Sequence, residues 1–173
     1  MGSRAATPAL PASSARAVAR YLVGLRPALA EACAARGEWV GQLGALVAAL
    51  RPDDRARAAG LAGELGRAFE QRFERAAERL DRLAPPPECG RCHAAVRAWV
   101  AALLGSCRAL ADVGRSGRLD GLRAAQAGLA DAREEAGRFN DEHARLQEAL
   151  RRRVRSVRRR HDRLPTSDQV APS

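Results

Sequence analysis

Lysine is absent from this chain: all 30 basic residues of the 173 are arginine. A preference for guanidinium chemistry would not also empty the ordinary surface of lysine, so the bias reads as the codon composition of a GC-rich bacterial genome. The arginine count by itself therefore identifies no phosphate or carboxylate partner. Aromatic residues are scarce, at 3%, and β-branched residues are few, which removes the side chains that favour strands. Much of the 46% apolar content is Ala and Leu, which lose little on entering a helix. An all-α chain is expected, in one domain.

Other absences exclude functions. The N-terminal MGSRAATPALPASS has no continuous apolar h-region, and Ala6 stands where a myristoylation signal needs a hydroxyl residue. No unbroken apolar run of spanning length occurs, so no transmembrane helix is expected. The expected location is the cytoplasm, where the four cysteines stay reduced. There is no Gly-rich phosphate loop, no serine elbow and no His-Glu-x-x-His. Without Glu-x-x-His, a ferritin-like carboxylate iron site in the bundle is not expected. Asp141, Glu142 and His143 are consecutive, so on a helix they point in different directions. No catalytic constellation is found, no small-molecule substrate is indicated, and the chain is not expected to be an enzyme.

What is present is helical periodicity. After a disordered lead over 1–12, a helix over about 13–51 carries Val18, Leu22, Leu25, Leu29, Cys33, Val40, Leu43, Val47 and Leu50 at steps of three and four apart from one gap, with Pro27 inside it as a kink. An Asp at 53 or 54 can cap the next helix, expected over 53–84 with Ala58, Leu61, Leu65, Phe69, Phe73, Ala76, Leu80 and Leu83 on one face. Pro85, Pro86 and Pro87 end it. The third helix, over 87–113, aligns Cys89, Cys92, Val96, Trp99, Leu103, Cys107 and Leu110, and Gly114 to Gly117 form a turn. The fourth, over 118–164, carries Leu122, Leu129, Ala132, Ala136, Phe139, His143, Leu146, Leu150, Val157, His161 and Leu164, followed by a disordered tail over 165–173. Trp39 and Trp99 are expected to cover helix contacts, with interface anchors as the alternative.

Short turns between long helices give an up-down-up-down antiparallel four-helix bundle of coiled-coil-like rods with a long overhanging C-terminal helix. At about 1.5 Å per residue, the fourth helix descends to the start of the third near residues 141–146. Its end, over 151–163, then projects.

Two features carry the candidate sites. The first is C-x-x-C-H at Cys89, Cys92 and His93, with His143 brought level by the same length argument. Covalent haem needs this spacing, but attachment outside the cytoplasm and the lack of an export signal weigh against it. A dithiol redox role would use Cys89 at a helix start, where the dipole favours thiolate, but such pairs normally sit on a βαβ framework. Zinc held by Cys89, Cys92 and His143, with His93, Glu88 or Glu142 completing the set, is the third reading, although the motif is half of a full zinc signature. The plainest reading makes the cysteines small hydrophobes on apolar seams. The second feature is the cluster Arg151, Arg152, Arg153, Arg155, Arg158, Arg159, Arg160 and Arg163. The region 150–173 holds eight arginines against two aspartates, which is +6 of the chain's net +10. It could bind nucleic acid or an anionic membrane surface, another protein's acidic helix, or only water. The expected function is a non-enzymatic bundle acting through contact with a protein partner or a second copy, with no cofactor. A thiol-dependent redox sensor or zinc binder and an electrostatic binder are the alternatives.

Overall fold

A computed structural model of the chain describes residues 15–49 and 54–161, all but a few of them helical. The elements are α1 (Ala15–Ala49), α2 (Arg55–Asp81), a 3-10 turn (Pro87–Cys89), α3 (Gly90–Ser116) and α4 (Gly121–His161). The expected lead over 1–12, the tail over 165–173, Leu164 and Arg163 lie outside the described residues, as do the side chains of 157–161. The all-α antiparallel bundle is as expected. The end marked by Pro87 is called the lower end below.

Local chemistry sets the boundaries. Asp54 caps α2, its carboxylate accepting from the Arg57 amide at 3.3 Å. The proline run ends α2, and Pro87 opens the 3-10 turn that leads into α3. Gly117 closes α3 with φ at 70°, its amide bonded to the Val113 carbonyl at 2.9 Å, a left-handed cap that glycine adopts without a Cβ penalty. Gly114, expected in this turn, is instead inside α3. The helix continues because Gly114 sits against Gly63 of α2, where a Cβ would come within 2.4 Å of the Gly63 Cα. α1 is unbroken through Pro27.

The seams differ in closeness. Between α2 and α3 the backbones nearly touch: a Cβ on Gly66 would lie 2.4 Å from the Ala111 nitrogen. Arg108 bridges this seam to Glu70 at 3.0 Å and Glu74 at 2.8 Å, and Arg97 reaches Asp81 at 2.7 Å. α3 and α4 are also tight, since a Cβ on Gly128 would meet Ser106 Oγ at 2.3 Å. α1 lies on α2 through Trp39 and Phe73, edge to face at 6.0 Å, and through ion pairs of Arg72 with Glu38 and of Arg79 with Glu31. α1 and α4 form no comparable seam.

The buried stripe of α1 departs from the expected one. It consists of Val18, Tyr21, Leu25, Ala28, Ala32, Ala35, Trp39 and Leu46, whereas Cys33, Val40 and Val47 are exposed. The helix is rotated because Tyr21 and Trp39 are its anchors, and three alanines between them let it lie close to its neighbours. Trp39 and Trp99 are core residues, with indole N–H groups that find no acceptor among the described residues. In α2 and α3 the expected faces are the buried ones. Contrary to expectation, α3 with its preceding turn (Pro87–Ser116) is long and apolar enough by length and composition to cross a membrane. Half of the qualifying window is buried within the bundle.

Candidate functional site

The lower end holds the C-x-x-C-H segment. Cys89 and Cys92 are buried, being three residues apart and hence on one helical face. His93 is also buried, and its Nδ1 lies 3.2 Å from the hydroxyl of Tyr21 on α1. Burial, then the charge of Arg97, lowers the His93 pKa despite Asp81, so the ring is neutral near pH 7. Burial, then Cys92 and Cys89, raises that of Tyr21. Both partners are therefore uncharged, and the tautomer of the ring sets which of them donates.

The thiols are held protonated. Burial pushes Cys89 up to about 11, with Glu88 acting in the same direction, and pushes Cys92 up to about 12, with Cys89 and Glu142 adding to it. The thiolate expected for Cys89 at a helix start is thus overturned: loss of hydration outweighs the helix dipole. The length argument holds, since Glu142 of α4 acts on Cys92. Glu142 is one of the candidate fourth ligands, and the His143 ring beside it is stacked on Phe139, centroids 5.5 Å apart. Among the described residues no three His, Cys, Asp or Glu side chains are placed to share one metal ion. Cys89, Cys92, His93 and His143 are not brought together as one ligand set; Cys89, Cys92, His93 and Tyr21 form a packed polar knot tying α1 to α3.

The arginine end begins at this level. Arg153 meets Glu88 at 2.6 Å, Arg155 meets Glu148 at 2.9 Å, and Arg152 reaches Glu148 at 3.5 Å. From there α4 continues past the start of α3 to His161, with Val154 exposed. Part of the expected phosphate-binding charge is thus spent on carboxylates of the chain itself. Arg151 is exposed; of the side chains of Arg158, Arg159 and Arg160 nothing is described.

The third feature is a groove of about 530 Å³ between α1 and α4, lined mainly by Val40, Leu43, Val47, Leu129, Ala132 and Ala136, and by Leu103 of α3. Val40 is 45% exposed and Val47 65%. Arg36 and Arg133 are its charged lining residues. Sequence periodicity missed this site by assigning Val40 and Val47 to the core. A signal was nonetheless available: from Val40 to Ala49, VGQLGALVAA, α1 carries no charge at all. A helix apolar all round requires cover on more than one side, and α1 receives it on one.

In comparisons with protein-family models, curated proteins and solved structures, nothing matches this chain.

Proposed function

We propose that this protein is a non-enzymatic helical bundle that acts by binding another protein, and that the groove between α1 and α4 is its binding surface. The supporting observation is the exposure of Val40 and Val47 beside an apolar floor. Exposed apolar groups scattered singly are ordinary, but a contiguous apolar cleft is the surface that association covers. Covering it removes apolar area from water at little entropic cost, because its walls are preformed helices.

Photocrosslinking in the source cells tests the reading. Benzoylphenylalanine at position 47 should yield a discrete protein adduct that disappears when Val40→Arg is added, while the same group at Gly60, which faces open space, should not. Equal adducts from both positions, or none from 47, would overturn the proposal.

A further inference from the structure

We infer that the groove's occupant is an amphipathic helix with acidic residues flanking its apolar face. The inference rests on the groove being a protein-binding surface and adds the chemistry of the partner.

The form of the partner follows from the walls. Both are helices, α1 from Arg36 to Val47 and α4 from Leu129 to Asn140, and each runs about three turns, roughly 16 Å. Helix walls have already spent their backbone donors and acceptors internally, so an extended segment laid between them would find no sheet edge to pair with. A helix brings its own backbone bonds and needs only side-chain cover. Gly44, Ala132, Ala136 and Gly137 in the lining are small, which leaves room for large apolar side chains repeating every three or four residues on the incoming helix.

Its charge follows from Arg36 and Arg133. Neither has a carboxylate partner among the described residues, and no carboxylate lines the groove. Many other arginines of the bundle do find one: Arg72, Arg79, Arg97 and Arg108 pair with acids on the neighbouring helix. Acidic flanks on the partner would complete the pattern. A second copy of this chain is disfavoured on the same ground, because two molecules each carrying +10 repel, and a symmetric contact would set the same unpaired guanidinium groups near one another.

The test uses the full chain and fluorescein-labelled synthetic peptides of about 18 residues, long enough for a stable apolar stripe. They share leucines at helical spacing and differ only in their flanks, which are Glu, Gln or Lys. By anisotropy at low salt the Glu peptide should bind about tenfold more tightly than the Lys peptide, the effect of a few solvent-exposed ion pairs. Added salt should narrow the gap. Arg36→Glu with Arg133→Glu should reverse the order. Val47→Arg, at an exposed position, should abolish binding although it adds positive charge, which separates seating in the groove from attraction to the basic chain. Equal affinity of Glu and Lys peptides that is still lost in Val47→Arg would overturn the acidic partner and leave the binding groove standing. A dimer in sedimentation that Val47→Arg disperses would do the same, naming a second copy as occupant. If no peptide binds and the chain stays monomeric, or if binding ignores Val47→Arg, both conclusions fall.

Discussion

The α2–α3 seam and the α1–α4 seam use the same small residues to opposite effect. In the first, Gly63 and Gly66 face Gly114 and Ala111, and the missing side chains let two backbones approach to contact. In the second, Gly44, Ala132, Ala136 and Gly137 line a cleft. The difference lies in what clamps the helices. Arg108 and Arg97 bridge α2 and α3, and Gly63 meets Gly114 while Gly66 meets Ala111. α1 is instead held to α2 by Trp39 and to the lower end by Tyr21, and among the described residues nothing comparable draws its upper half toward α4. Small residues close a seam only where something else holds the helices together; elsewhere they leave a receptacle.

Substitutions can break or sharpen this contrast. The largest expected effect is at the closed side: Phe73→Ala, at a fully buried ring, should lower stability by about 3–5 kcal/mol in urea titration. Val47→Ala, on the groove wall, should change it by no more than ~0.5 kcal/mol. If both were costly, the groove would be closed. Next, Gly66→Ala should destabilise by about 1–3 kcal/mol through overpacking, since the new Cβ collides with backbone of α3. The same change at Gly41, where a Cβ meets nothing, should stabilise by about 0.5–1 kcal/mol through helix propensity. Equal signs would contradict the assignment of seams.

The smallest effect separates the two halves of α1. His93 has its pKa lowered from 6.5 in the fold, so folding prefers the neutral ring. Its contribution is complete above 6.5 and is lost as pH falls through the lower, folded value. Unfolding midpoints should therefore fall between pH 7 and pH 5.5 more steeply in the native chain than in His93→Gln. Tyr21→Phe, which removes the hydroxyl bonded to His93 Nδ1, should cost about 0.5–1.5 kcal/mol. Identical pH slopes would mean that the knot does not hold the lower end of α1.

Much of this architecture is legible in the sequence, and the exceptions are instructive. The proline run, the Asp54 cap and the apolar faces of α2 and α3 are local signals, and the helices begin and end within a few residues of where those signals put them. Helix length alone brings Glu142 of α4 to the level of Cys92. Rotation about the axis is not local. α1 offers two apolar rows, one of Leu and Val and one of Ala with Tyr21 and Trp39, and periodicity favours the bulkier row. The fold buries the other together with Val18, Leu25 and Leu46, because alanines permit closer approach and the aromatic residues have ring partners in Phe73 and His93. For Cys89, a helix-start rule was outweighed by burial, which depends on Tyr21 and α1 arriving from far along the chain.

The most direct test of the open seam is the accessibility of methyl groups to a neutral gadolinium chelate, measured by paramagnetic broadening in methyl NMR spectra of the isolated chain. The methyls of Val40 and Val47 should broaden strongly, while those of Val96, Val100 and Val113 in the closed core stay sharp. Val40 and Val47 protected to the level of Val100 would contradict the account, since α1 and α4 would then be packed together and no groove would exist for a partner to enter.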